Sequence, residues 1–258
     1  MPSRISVIIP AFNEEQSIGL VLTALPQNQI HEIIVVDNNS TDNTSRFAHE
    51  KGARVVEEKH KGYGSACLKG ISELDNPDIV VFLDGDFSDY PEEIEKLVAP
   101  IVSGEMDFVL GSRMILPESR LALLPQSRYG NQLAVFLIRV FFSHQYTDLG
   151  PFRAIRYNSL KSICMQDTNF GWTVEMQIKA VQKGLRILEI PVKYRDRIGV
   201  SKITGTFSGT VKAGTKIIYT ILKYLLTCLY VSLFKKISFY FHLPVTFLLV
   251  FQFICLGG

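Results

Sequence analysis

Over residues 1–115 the chain alternates short apolar runs with stretches of helical spacing. Residues 5–10 read as a strand closed by Pro10, and residues 14–25 as the helix that follows. Residues 32–37 form a second apolar run. Asn38-Asn39-Ser40-Thr41-Asp42 then supplies capping side chains for a helix that stops at Lys51-Gly52. Residues 53–57 make a short third strand, and Gly62-Tyr63-Gly64 turns into a helix reaching about residue 74. Residues 78–84 give the fourth strand, Pro91 with Glu92 and Glu93 opens another helix, and residues 107–111 give the fifth strand. This β-α-β-α succession predicts a doubly wound, parallel α/β sheet.

The rhythm loosens after Arg113. Residues 114–128 read as a loop, 129–143 as an apolar helix, 148–155 and 186–194 as further strands, and 172–183 as the helix between them. Near Gly205 the pattern changes again. Residues 205–234 form a long helix with Lys212, Lys216 and Lys223 on one stripe and Ile217, Ile218, Ile221 and Leu225 over much of the rest. That pattern suits a helix lying in a membrane interface with its lysines at lipid phosphates, or a terminal helix packed on the core or on a partner. Lys235-Lys236 then precede residues 237–256, which carry no formal charge beyond His242 and match the thickness of a bilayer. Pro244 and Gln252 also allow a re-entrant or monotopic segment. The lysine pair places the preceding domain on the cytoplasmic face. The expected division is a catalytic domain over 1–204, a juxtamembrane helix over 205–234 and a hydrophobic membrane segment over 237–256.

Composition narrows this picture. With 258 residues, 47% of them hydrophobic, the chain can build one α/β domain with an appendage. A formal charge of +2 gives no argument for nucleic acid. Cys67, Cys164, Cys228 and Cys255 are widely spaced without a CxxC pair, so neither zinc nor a disulfide framework is expected. Polar residues 1–4 lead directly into a strand, which predicts no signal peptide and a reducing compartment for the main domain.

The chemistry concentrates at Ile79-Val80-Val81-Phe82-Leu83-Asp84-Gly85-Asp86. An uncharged run of this kind reads as a buried strand that delivers two carboxylates to its carboxyl end, where open α/β sheets bind ligands. Paired carboxylates are hard oxygen donors suited to Mg²⁺ or Mn²⁺ holding a diphosphate. Three other readings stand beside this one. Asp84-Gly85 is a common turn pair, and Asp86 could cap a helix in a Rossmann-like domain. Asp84, Asp86, Ser88 and Glu95 fall at calcium-loop positions, although Asp89 occupies the place that loop gives to glycine.

Ser6-Val-Ile-Ile-Pro-Ala-Phe-Asn-Glu-Glu15, Val35-Val-Asp-Asn-Asn-Ser-Thr-Asp42, Asp84-Gly-Asp86 and Gly111-Ser-Arg113 occur in that order. Together they resemble the nucleotide-sugar half of family 2 glycosyltransferases, which have the GT-A fold. Thr147-Asp-Leu-Gly-Pro-Phe-Arg153, Gly171-Trp-Thr-Val-Glu175 and Arg197-Ile-Gly-Val-Ser-Lys202 are similar to the branch that contains the dolichyl-phosphate mannose and glucose synthases. The resemblance covers roughly residues 4–230. It implies that Pro10, Phe12, Glu14, Asp37 and Asp84 hold the nucleotide sugar and that Asp86, assisted by Asp84, binds the metal. It also implies that Arg113, Arg128, Arg197, Ser201 and Lys202 bind an acceptor phosphate, with Asp86, Arg113, Arg197 and Lys202 the catalytic set. Asp148 and Glu175 match without an assigned role.

Each residue also has an ordinary structural reading. Asp37 could cap the next helix, Glu14 could sit in a first helical turn, and Gly62 with Gly64 could form a simple turn instead of letting backbone approach a nucleotide. Gly85 and Phe87-Ser88-Asp89 depart from the Asp-Ala-Asp-Leu-Gln of the mannose synthases, and Leu149-Gly-Pro-Phe departs from their commoner Ser-Gly-Phe. No Gln-x-x-Arg-Trp follows, as processive family members would have. The expected activity is therefore inverting transfer of glucose or mannose from a UDP- or GDP-linked donor to a polyprenyl or dolichyl phosphate. Transfer to a hydroxyl of a glycolipid or cell-envelope glycan is the alternative, and it would need a carboxylate base such as Asp148 or Glu175. A third alternative is a membrane-bound nucleotide-sugar binder without activity. A homo-oligomer is compatible with each.

Overall fold

The computed structural model describes residues 3–199 and 207–241. By compactness the chain divides into Met1–Ile221 and Leu222–Gly258. In the first unit the strands are β1 (Ile5–Ala11), β2 (Glu32–Asp37), β3 (Arg54–Glu57), β4 (Ile79–Phe82), β5 (Phe108–Ser112), β6 (Arg153–Arg156) and β7 (Ile187–Pro191). They form one sheet in the order β3-β2-β1-β4-β6-β5-β7.

The sheet is mostly parallel, with one reversal. β1 pairs parallel with β2 and β4, β2 with β3, and β5 with β7. β6 runs antiparallel between β4 and β5, with Val81 opposite Ala154 and Val109 opposite Ala154 on the other edge. The parallel reading of residues 1–115 thus holds for β1–β4, but β5 does not join β4 directly. Helices α1 (Ile18–Ala24), α2 (Thr44–Glu50), α3 (Tyr63–Ser72) and α4 (Ile94–Val102) connect the amino-terminal strands. All seven residues of β1 and all four of β4 are buried, as strands covered on both faces must be. Each fully buried side chain such as Ile9 or Val81 contributes about 1.5–3 kcal/mol of burial energy.

Three expectations from the pattern need correction. α1 starts at Ile18 instead of residue 14, because Asn13 takes a positive φ of 54° and the Glu14 carbonyl closes a turn with the N–H groups of Ser17 and Ile18. Residues 114–128 are not a loop: they contain α5 (Pro117–Ala122) and the first turn of α6 (Pro125–Phe142), each with proline at its first helical position. Residues 148–152 are not strand either. Asn131 donates to the Thr147 carbonyl at 3.0 Å and accepts from the Leu149 N–H at 2.8 Å, which holds this segment against α6 before β6 begins.

The carboxyl-terminal half packs through α7 (Tyr157–Ile163), α8 (Trp172–Gln182) and the start of α9 (Phe207–Phe241). Trp172 is fully buried and meets the Phe82 ring edge-on at 4.7 Å. Thr220 and Ile221 are buried as well, and Lys216 lies 2.8 Å from the Asp167 carboxylate. Lys216 is thus paired within the protein while remaining partly exposed, and Lys212 and Lys223 of the same stripe are exposed. Among the described residues no helix is long and apolar enough to cross a membrane. Residues 242–256 of the expected membrane segment lie outside the described residues.

Candidate active site

The carboxyl ends of β1, β2 and β4 open onto a cavity of about 310 Å³. Pro10, Ala11, Phe12 and Glu14 line it from the end of β1, and Asn38 from the end of β2. Lys61, Gly62, Tyr63 and Ala66 line it from the start of α3, and Asp84, Gly85 and Asp86 from the end of β4. Asn169, Phe170 and Arg197 complete the wall. Strand β4 ends just before its acidic pair because Leu83 N–H still reaches the Ile8 carbonyl while the backbone turns away into residues 84–90.

Two carboxylates meet at the floor. The Tyr63 hydroxyl donates to Asp84 Oδ1 at 3.0 Å, and the Ser88 N–H and hydroxyl both donate to Asp86 Oδ1. Asp86 Oδ2 lies 3.2 Å from Arg197 Nη1, while Arg197 Nη2 donates to Glu14 Oε1 at 2.6 Å. Arg197 thus bridges two acidic groups across the cavity, yet among the described residues its buried Nε has no partner. Desolvation, and behind it the charge of Asp86, pushes the Asp84 carboxyl up to about 7. An acidic pair with this much unbalanced charge fits a divalent cation. The two carboxylates supply hard oxygens, and among the described residues no third His, Cys, Asp or Glu joins them to form a closed cage. That is the donor set of a metal completed by substrate phosphates.

A strained loop aims the pair. Phe87 has a φ of 62°, a conformation costly for an aromatic residue. Arg195 holds it there: its guanidinium stacks 3.6 Å from the Phe87 ring and 4.1 Å from Tyr90, and donates to the carbonyls of Phe87 and Asp89. Ile198 N–H also reaches the Asp86 carbonyl at 3.0 Å, so residues 195–198 are laced to the acidic loop along their length.

The candidate residues divide. Pro10, Phe12, Glu14, Asp84, Asp86 and Arg197 converge on the cavity, whereas Asp37, Arg113 and Arg128 do not line it. Asp37 accepts from the Ser40 N–H at 2.9 Å and from the Ser45 hydroxyl, so it braces the turn that leads into α2, whose N-cap position is held by Asn43. Arg113 is locked to Asp148: its backbone N–H and Nε share Oδ2 at 2.9 and 2.8 Å, and Nη2 meets Oδ1 at 2.9 Å. Burial alone would lower the Arg113 pKa, but the Asp148 charge outweighs it and drives the value further up. Arg128 sits partly exposed near the start of α6. Ser201 and Lys202 lie outside the described residues.

Gly62 and Gly64 both admit the protein's own backbone, and Gly62 lines the cavity as well. A Cβ at Gly62, whose φ is 152°, would lie 2.2 Å from the Thr168 carbonyl oxygen, and one at Gly64 would lie 2.0 Å from that of Asp167. Ser65 N–H bonds Thr168 across this contact at 2.8 Å. Four residues that sequence reasoning left without a role also matter. Asn38 donates to the Glu58 and His60 carbonyls and accepts from Gly62 N–H, fixing the cavity's edge. Lys61 sits 5.0 Å from the centre of the Phe12 ring. Arg153, fully buried, donates to the carbonyls of Leu149, Gly150 and Thr173. Asp89 is buried, and among the described residues neither of its carboxylate oxygens is hydrogen-bonded; desolvation and the nearby Asp84 charge hold its carboxyl well above the usual range.

Comparison with known proteins settles the family. The model for "Glycosyl transferase family 2" matches residues 6–164, more than half of the chain. The chain belongs to glycosyltransferase family 2. A dolichyl-phosphate hexose transferase of Haloferax volcanii is 31% identical over 220 residues, covering 83% of this chain and 92% of that protein. An undecaprenyl-phosphate mannosyltransferase of Micrococcus luteus is 30% identical over 224 residues, covering 80% and 90%. Glucosyl-3-phosphoglycerate synthase of Mycobacterium tuberculosis, solved with Mn²⁺, UDP and glucosyl-3-phosphoglycerate, superposes with a TM-score of 0.71. That match has 24% identity and covers 85% of this chain and 79% of the other. It gives the family 2 chain a GT-A-like fold, as the resemblance of its motifs implied.

Proposed function

We propose that this glycosyltransferase moves a hexose, with inversion, from a nucleoside diphosphate sugar to a polyprenyl phosphate at the cytoplasmic face of a membrane. The observation that carries the acceptor is the state of its carboxylates. Asp148, one candidate base, is consumed by a three-bond clamp on Arg113. Glu175, the other, is fully buried; it accepts the N–H groups of Gln166 and Asp167 and pairs with Lys179 at 2.8 Å. A hydroxyl acceptor needs a base within hydrogen-bond reach. A phosphate monoester does not, since its second pKa is about 6 and it is largely ionised at pH 7.

In this reading the donor lies along Pro10, Phe12 and Asn38, with Asp37 supporting the wall through the residue 40–45 turn. A phosphate oxygen attacks the anomeric carbon as the bond to the diphosphate breaks, and the electron pair leaves with the nucleoside diphosphate. Asp84 and Asp86 would hold Mg²⁺ or Mn²⁺, which supplies Lewis-acid neutralisation of the leaving diphosphate. Arg197 is placed to exchange its contacts with Glu14 and Asp86 for phosphate oxygens, and Lys202 and Ser201 follow it closely in sequence. The relatives named for dolichyl and undecaprenyl phosphate support the acceptor class.

The test is transfer of radiolabel from a panel of UDP- and GDP-hexoses, with Mn²⁺ or Mg²⁺, to added polyprenyl phosphate. Organic-soluble label that is lost on Asp86→Ala and on chelation is the expected result. Donor hydrolysis without lipid product would move the acceptor to another molecule.

A further inference from the structure

Helix α6 carries its buried and exposed residues in an unusual arrangement. Asn131, Ala134 and Ile138 face inward. The outward stripe is apolar: Tyr129 is 72% exposed, Leu133 47%, Phe136 59% and Val140 55%. These four recur at helical spacing and share one face. Just before them Leu121 and Leu124 are exposed as well. Isolated exposed leucines are ordinary, but a continuous apolar stripe marks a surface that something covers.

The charges around the stripe indicate what covers it. At about 100° per residue, Arg128 and Arg139 fall about a quarter turn to one side of the stripe. Neither Asp nor Glu occurs from Ser119 to Thr147, whereas Arg120, Arg128 and Arg139 all do. An apolar face flanked by cations, without acidic residues, complements an anionic lipid surface: side chains enter the acyl boundary and guanidinium groups meet phosphates. The opposite face of the same helix is tied to the site. Asn131 holds Thr147 and Leu149, on either side of the Asp148 that clamps Arg113.

We propose that the outer face of α6, with Leu121 and Leu124, is a docking surface for an anionic lipid bilayer, separate from any attachment through the carboxyl-terminal segment. The proposal does not depend on the acceptor being a lipid phosphate, and its test needs neither donor nor acceptor.

Trp172 is the chain's one tryptophan and is fully buried, so Tyr129→Trp in the full chain places a fluorescent reporter on the stripe with a quiet background. The probe is a vesicle of phosphatidylglycerol and phosphatidylcholine with brominated acyl chains. The expected result is quenching of the new tryptophan by at least about half, with loss of its quenching by aqueous iodide. Because the reporter sits on α6, attachment through another segment does not mimic this. Phe136→Glu, checked for folding by circular dichroism, is expected to abolish the bromolipid quenching when combined with the reporter. Arg139→Gln is expected to weaken anionic-vesicle partition about fivefold. Unchanged iodide access with vesicles present would overturn the proposal. So would equal binding to purely zwitterionic vesicles, or a dimer that Phe136→Glu converts to monomer while the reporter's response to vesicles is unchanged.

Discussion

The charges around Arg153 and those around Asp84 and Asp86 are both taken out of water, and the protein treats them in opposite ways. Arg153 donates to three backbone carbonyls and stands about 6 Å from the rings of Phe108 and Trp172. Nearby, Arg113 with Asp148 and Glu175 with Lys179 form closed ion pairs and the Gln177 amide nitrogen donates to the Asp148 carbonyl; the atoms there without a hydrogen-bond partner among the described residues, Gln177 Oε1 and Trp172 Nε1, are neutral. At the acidic loop the accounts stay open. Asp84 and Asp86 repel one another, and among the described residues the Asp89 carboxylate accepts no hydrogen bond and Arg197 Nε donates none. A closed polar cluster fixes a backbone; an open one stores a demand for a ligand.

The sharpest way to break the contrast is Asp86→Ala. Loss of this carboxylate is expected to lower kcat/KM by about a thousandfold or more, while the Ser88 donors and Arg197 left without it cost about 1–2 kcal/mol of stability. A variant that unfolds while its residual activity stays normal would place Asp86 among the structural groups. The opposite result belongs to Arg153→Met, which leaves three buried carbonyls without their donor. It is expected to cost about 3 kcal/mol in denaturant unfolding.

Asp89→Asn probes the unsatisfied carboxyl. Its folded pKa lies above its unfolded value, so the folded protein holds the proton more tightly and stability falls as pH rises from the ordinary carboxylate range through the folded value. The asparagine variant removes that fall. It is expected to be the more stable protein at pH 8, by on the order of 1–3 kcal/mol, with the gap closing toward pH 4. A gap independent of pH would show that Asp89 is not the titrating group.

Asp84 gives a smaller, graded effect. With its carboxyl raised to about 7, cation binding must displace a proton below that pH. Mn²⁺ affinity, measured by calorimetry in the presence of nucleoside diphosphate, is expected to rise by up to about tenfold per unit below 7 and to level off above it. A flat profile would assign the raised pKa no part in binding. The least effect is expected from Lys216→Ala, a partly exposed pair with Asp167, at no more than about 1 kcal/mol of stability.

Much of this contrast was legible beforehand, and the misses have physical causes. The strands delivering Pro10, Asp37 and Asp84 are continuous apolar runs, so their carboxyl ends could be read from local pattern alone. β6 could not, since four residues say nothing of direction, and its reversal is decided by partners distant in sequence. Residues 114–128 read as a loop, yet Pro117 and Pro125 within them serve as helix starts, a role that depends on what precedes them. Asp37 shows a deeper limit: a turn brace and a ligand contact need the same residue at the same place. Gly62 and Gly64 signalled a close approach, but one of the partners, the backbone of Asp167 and Thr168, could not be named, because it lies a hundred residues away in the chain. Nothing local marks Arg153 as buried.

The reversed strand also constrains how the molecule comes into being. β4 finds β1 among residues already made, but its other edge stays unpaired until residues 83–152 have been synthesised and β6 arrives. During that interval a wholly apolar strand presents open backbone groups at the rim of a half-built sheet. Closure of the long gap is expected to limit the folding rate and to be the step most exposed to wrong pairing. The strand that leads to the acidic pair thus waits for a partner from far along the chain.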